Sequence, residues 1–349
     1  MTVANRSTVE GVVEVPEGGA AQPPRRLHRP RRLRRSAWGP LRRAAHLLAV
    51  GILVTMLASA LVDLIPGSPS AAILGPNATP EQLDALDAEY GFDQPFLTRY
   101  LGWLGHALTG DLGRSVQNGQ PVLDTILRRL PVTLELTVLA LVFSLLVAVP
   151  LAIVSAARAG GLLDRVITAV TSGLMAVPVF VGAVVAIYGL AVYNRVFPVS
   201  GWAPLSAGLA TNLTYAVLPA LALAAGELPA FLRLLRSDLL ANLNEDFVRV
   251  ATVRGLPRRY ILLRHVLRPS SFSLLTMVGV AFGRLLAGSV VVESLFALPG
   301  LGLLAIQSIP AKDIPVIQGL VTLVALTYVA VNMAVDGGYR LLDPRLRTR

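Results

Sequence analysis

The feature that most constrains this chain is a series of six apolar stretches, at about residues 44–65, 132–156, 166–193, 215–235, 272–295 and 316–335. Most approach or exceed the roughly 20 residues that a helix needs to cross ~30 Å of hydrocarbon. The runs are continuous rather than alternating, which excludes a transmembrane β-barrel. Composition agrees. Of the 349 residues, 54% are hydrophobic and 15% charged, where soluble domains carry about a quarter charged residues. The mean hydropathy is +0.63. The fold class is therefore all-α and polytopic, with six transmembrane helices.

Between the spans the sequence changes character. Residues 1–40 form a basic tail, with RRLHRPRRLRR at 25–35, read as disordered and solvated. Ala58-Ser59-Ala60 resembles a signal-peptidase site, but the apolar run continues past it, so the first span reads as an uncleaved anchor. Residues 66–130 are polar and acidic and read as a small extramembrane insertion. Within it, Thr79-Pro80-Glu81-Gln82 has the form of a helix start, and Gly91 that of a helix end. Pro150, Pro178, Pro219 and Pro229 fall inside apolar runs and predict kinks or interruptions.

The net charge is +10, and every basic residue except Lys312 is arginine. In an apolar chain this balance points to cytoplasmic loops and anionic lipid rather than to nucleic acid. With the N-terminus inside, ten Lys and Arg precede residue 44, two lie in 157–165, eight in 233–268 and four in the 341–349 tail and its approach. Six lie on the opposite side. The positive-inside rule thus puts both termini, and the 244–269 segment, in the cytoplasm.

That segment, NEDFVRVATVRGLPRRYILLRHVLRP, is polar and Arg-rich between two spans. Phe247, Val250, Ala251 and Arg254 recur at helical spacing, Gly255 breaks the run, and Pro257 opens a second helix with Tyr260, Leu263 and Leu267 on its apolar face. Two short helices about a glycine turn, lying flat on the cytoplasmic side, fit this pattern. So does a positive loop that only fixes topology.

Catalytic constellations are absent from the sequence. The four histidines are scattered without metal-ligand spacing, there is no cysteine, and no GxxxxGK[ST] motif occurs. Charges within the spans are few: Asp63, Glu135, Glu227, Arg284 and Glu293. Asp63, Glu135 and Glu293 lie near span ends, within reach of water. Arg284 is deeper and must face a polar path or pair with a carboxylate such as Glu227. Glu227, Arg284 and Glu293 are the candidates for a translocation path.

In order along the chain stand DLIPGSP (63–69), YGFDQPFLTRYLGWL (90–104), GDLGRS (110–115), RLPVTLEL (129–136), the 244–269 segment, VVVESLFALPGLG (290–302) and LLDPRLR (341–347). Together they resemble the inner-membrane permease subunits of the dipeptide/oligopeptide/nickel family of ABC importers, over about residues 40–347. The resemblance implies a type I importer permease fold, with the transmembrane domain at 131–340. It implies that 244–269 is the EAA coupling loop, whose helix sits in a groove of a cytoplasmic ATPase. The candidate contact residues are Phe247, Arg249, Val250, Ala251, Arg254, Gly255, Leu256 and Arg258. Arg249-Val250-Ala251 stands where Glu-Ala-Ala would be, and Pro269 falls one residue beyond the family proline; Gly255 matches the family glycine.

The implied partners are a second homologous permease (or a second copy of this chain), two ABC ATPases, an extracytoplasmic substrate-binding protein and the lipid of a bacterial inner membrane. ATP and Mg would be bound by the ATPases, with no cofactor in this chain. An ATPase-independent secondary transporter or channel is the competing reading. It would want an inverted repeat and its own ion site, and the sequence offers neither.

Overall fold

The computed structural model describes residues 49–57, 59–60, 68–75 and 77–342. The basic tail 1–40, Asp63, both ends of the 44–65 span and residues 343–349 lie outside the described residues. Apart from one antiparallel bridge between Arg114 and Pro121, the regular structure described is helical. Residues 49–57 and 59–60 are helical (α1). Then follow α2 (Pro69–Leu74), α3 (Pro80–Tyr90), α4 (Phe96–Leu108), α5 (Val122–Ala157), α6 (Leu162–Ala176) and α7 (Val179–Tyr193). The series continues with α8 (Leu209–Leu243), α9 (Asp246–Val253), α10 (Arg258–Leu295), α11 (Leu301–Ser308) and α12 (Ile314–Leu342).

Among the described residues, α5, α8, α10 and Ile314–Val331 of α12 are long and apolar enough to cross a membrane. Helices α6 and α7 form a further apolar pair, bent by 99°. The stretch expected as a third span, 166–193, is therefore an elbow. Val177 is extended (φ −86°, ψ 119°), and Pro178 has no N–H to continue the ladder. Pro131, Pro150, Pro219 and Pro229 sit inside α5 and α8 without ending them. Because α5 begins at Val122 rather than near residue 132, its first turns extend into the stretch read as the insertion.

The central packing is made by small residues. Ala140, Ser144, Ala148, Ala152 and Ala156 recur every fourth position on α5 and are buried, as are Ala216, Ala220 and Ala224 on α8. Such stripes let two backbones approach, which is how helices gain contact in lipid, where no hydrophobic drive exists between them. Ser144 Oγ lies 2.7 Å from the Ala140 carbonyl and 3.0 Å from that of Ala224 across the seam. Helix α5 runs parallel to α8, since Ser144 meets Ala224 and Ser155 meets Arg236. Helix α10 runs antiparallel to α8, since Arg284 meets Glu227 and Ser270 meets Asn242. One end of the bundle thus holds residues 157–162 and 243–258.

The insertion is folded onto the opposite end. Thr79 and Gln82 form the expected capping box on α3, and Gly91 (φ +67°) terminates it. Tyr100 of α4 is buried, with its hydroxyl 2.8 Å from Thr55 Oγ1 and donating to the Ile52 carbonyl at 2.9 Å. Buried Asp313, just before α12, accepts from Ser115 Oγ and the Val116 amide.

Candidate functional site

Helix α9 leaves α8 after a two-residue turn and is amphipathic across the bundle end. Val248 and Ala251 face inward: Ala251 is 8% exposed and belongs to the chain's own core, against which Val248 and Leu256 pack. Phe247, Val250, Arg249 and Arg254 are exposed, and Val253 is 89% exposed. Of the candidate contact residues on this helix, Phe247, Arg249, Val250 and Arg254 thus face outward and Ala251 faces inward. Ala251 anchors the helix, and Val253 takes the outer place. At 100° per residue, Val253 lies beside Val250 and Arg249, whereas Ala251 lies on the arc with Val248. Arg249 is 3.5 Å from Asp246, but both are solvent-exposed, so this pair contributes little.

Gly255 has φ +75° and its amide donates to the Thr252 carbonyl at 2.9 Å. A Cβ there would meet nothing within 4 Å, so only the left-handed backbone requires glycine. The Leu256 amide then reaches back to the Ala251 carbonyl at 3.2 Å. Pro257 starts the next helix as expected, with exposed Arg258 as its first residue. That helix is not a second flat one. It passes through a π-turn at Ile261–Val266 and past Pro269, and continues as the span α10. Ile261, Leu262 and Val266 are buried in the bundle, which holds this continuation in place. Behind α9 lies a cavity of about 480 Å³ lined by residues including Ala156, Ala159, Leu243, Val248 and Leu256.

Midway along α8, and within α10, Glu227 and Arg284 form an ion pair, one of the two arrangements the sequence allowed. Arg284 Nε donates to Glu227 Oε1 at 3.0 Å, and Nη2 donates to Glu227 Oε2. The Glu227 side chain is 8% exposed and that of Arg284 53%. Glycines fix both partners: a Cβ at Gly226 would come within 2.8 Å of Val179, and one at Gly283 within 2.2 Å of the Tyr328 ring. The elbow between α6 and α7 therefore packs against α8 at the residue before Glu227, and α12 packs against α10 at the residue before Arg284.

Glu293, the third candidate for the path, is placed apart from this pair. It is fully buried. Its Oε1 accepts from Thr133 (2.7 Å) and Ser289 (2.8 Å), and its Oε2 from the amides of Gly302 (2.7 Å) and Leu303 (3.1 Å). Glu293 thus caps the start of α11 from outside, satisfying amides that would otherwise be orphaned. Gly300 and Gly302 leave no room for a side chain there. The sequence reading also counted Arg236 only as loop charge; the structure gives it a bidentate partner in Asp164.

An apolar helical bundle with several helices long enough to span, and an amphipathic helix presented at one end, is the architecture of a multi-pass membrane protein. The sequence comparisons give the family. A model described as binding-protein-dependent transport system inner membrane component matches residues 148–348, and the corresponding N-terminal model matches residues 40–137. The chain belongs to this family of inner-membrane permease subunits of ABC importers, in which ATP is hydrolysed by separate ATPases.

Its relatives include a probable peptide ABC transporter permease, y4tP, of Sinorhizobium fredii, 34% identical over 88% of this chain and 98% of the relative. A putative peptide transport system permease of Brucella abortus is 35% identical with the same coverage. The dipeptide transport system permease DppB of Lactococcus lactis is 32% identical over 88% of this chain and 98% of its own length. Among solved structures, the MetNI methionine ABC transporter has a chain of similar fold, with a TM-score of 0.52 at 17% identity, covering 62% of this chain and 96% of that one. The type I permease fold and a multi-pass inner-membrane setting, with ATPase and binding-protein partners, follow.

Proposed function

We propose that this chain forms one half of the translocation path of a peptide importer and is driven through the exposed face of α9. The α9 end of the bundle and both termini are cytoplasmic, in keeping with the arginine excess there. Two ABC ATPases bind ATP and Mg, and one of them receives α9 in a surface groove. A second homologous permease completes the path, and an extracytoplasmic binding protein delivers solute to the end that carries α3 and α4. Relatives named as peptide and dipeptide permeases support the substrate class.

One observation carries the reading. Helix α9 presents Phe247, Val250 and Val253 to solvent, bordered by Arg249 and Arg254, outside the apolar spans. Exposed apolar side chains rimmed by cations fit an apolar groove with an acidic edge on a soluble partner. Because α9 is joined to α8 on one side and runs through Gly255 into α10 on the other, displacing it moves the two helices that hold Glu227 and Arg284. ATP-driven closure of the ATPases would in this way alter the path at mid-depth.

The test is uptake of a labelled dipeptide into proteoliposomes carrying the complete complex. Uptake is expected to need ATP and the ATPase subunits, and to be lost in Phe247→Asp with membrane insertion intact. Transport by the permease subunits without ATPases would overturn the proposal and favour a secondary transporter.

A further inference from the structure

At the α9 end of the bundle, three elements are tied by one polar knot. Asp164, on the first turn of α6, accepts from Arg236 of α8 through both oxygens, Nε to Oδ1 and Nη2 to Oδ2, each at 2.8 Å. Ser155, near the end of α5 and fully buried, donates to Asp164 Oδ1, and its own oxygen accepts from Arg236 Nε at 2.9 Å. The Gly160 amide donates to Asp164 Oδ2 at 2.8 Å, closing the turn between α5 and α6. The last turns of α8 also hold α10, on the opposite face. Asp238 accepts from Ser273, and Asn242 Nδ2 donates to Ser270 Oγ at 3.0 Å.

The contrast with α9 is informative. Between α9 and the bundle lies the cavity of about 480 Å³, bounded by Ala156 and Ala159 of the α5 end and its turn and by Leu240 and Leu243 of α8. Beside this open pocket α9 meets the bundle through Ala251, Val248 and Leu256, apolar contacts that carry no fixed direction and can slide. The knot cannot shift in pieces, because a bidentate charge-assisted pair fixes both distance and orientation. Motion arriving from α9 at residue 243 thus meets an α8 end that is fastened to the α5–α6 turn. Helix α6 in turn leads to the elbow at Pro178, whose far side, Val179, abuts Gly226 next to Glu227.

We infer that Ser155, Asp164 and Arg236 are positioning residues that transmit displacement of α9 to the α5–α6 turn and the elbow, so that ATP hydrolysis is converted into opening of the path. The knot touches no solute and no nucleotide. It acts by making the α8 end and the start of α6 move as one body. This inference rests on the proposed coupling role of α9.

The experiment uses the complete importer in proteoliposomes with a labelled dipeptide and reads solute transported per ATP hydrolysed. Asp164→Asn and Arg236→Gln are each expected to lower that ratio by about fivefold or more, the size of a typical coupling free energy. Arg236→Lys, which keeps charge but not the fork, is expected to fall between these and wild type. Ser155→Ala leaves the ion pair in place, so it reports even if the charge variants fail to assemble, and is expected to lower the ratio in the same direction by less. An unchanged ratio in the variants that assemble, whether both rates stay normal or fall in step, overturns the inference. If wild type shows no ATP-dependent uptake, it is the coupling role itself that fails.

Discussion

At the scale of single residues, the charges in the spans have separate duties. Glu293 is buried beneath four donors, so Glu293→Gln places an amide NH2 among N–H and O–H donors and leaves at least one unsatisfied. The expected loss of stability is on the order of 3 kcal/mol, read as a lowered midpoint of thermal unfolding in detergent. Glu227 and Arg284 differ, because the arginine is half exposed and its partner is not. Removing Glu227 alone is expected to lower stability by about 1–2 kcal/mol, discounted from a fully buried pair because solvent reaches the guanidinium. The double variant Glu227→Gln with Arg284→Gln should recover part of that loss, which a double-mutant cycle in the same unfolding assay measures. Gly255→Val forces a β-branched residue into φ +75°, at about 1–2 kcal/mol. The space around it is open, so the fold should survive while the turn between α9 and α10 is displaced. Uptake per inserted permease is therefore expected to fall more for valine than for alanine.

At the scale of elements, the seam between α5 and α8 and the presentation of α9 dominate. Ala148→Leu adds bulk at a fully buried position in the small-residue stripe. It should push the two helices apart at about 1–3 kcal/mol, visible as reduced thermal stability of the purified subunit. Much of this architecture was legible in the sequence. The apolar runs carry α5, α8, α10 and α12, and the capping box of Thr79 with Gln82 is a local signal that the structure realises. The elbow was not legible as such, because a proline in an apolar run such as Pro178 reads equally as a kink or an end, whereas Pro150 and Pro229 are simply carried through. The Glu227–Arg284 pair was legible as one of two outcomes, because a deep guanidinium needs either a polar path or a carboxylate, and few carboxylates are available. Glu293 was not. Its position near a span end suggests water, and only the return of the chain through Pro299–Gly302 shows that backbone amides surround it. Ala251 and Val253 failed to sort for a related reason. Over an eight-residue helix the apolar arc is too short to reveal which side has a core beneath it.

At the scale of the whole molecule, the chain is a lever arrangement laid across a membrane. Helices α8 and α10 carry an ion pair and are joined at one end by a short helix that packs on the bundle through Ala251 beside an open pocket. The α5–α6 turn is knotted to α8 beside that end, and the insertion is pinned to the start of α12 at the other. Family membership assigns ATP hydrolysis to separate subunits, so the energy must enter through a surface, and α9 has the chemistry for it. The most direct measurement places a photo-activated cross-linker at Val253, at 89% exposure the most solvent-directed apolar side chain of α9, in the assembled complex within membranes. The account predicts a covalent adduct to the ATPase subunit, and loss of that adduct when Phe247 is replaced by Asp. Efficient adducts to the ATPase from the 157–161 turn, with none from position 253, would contradict it.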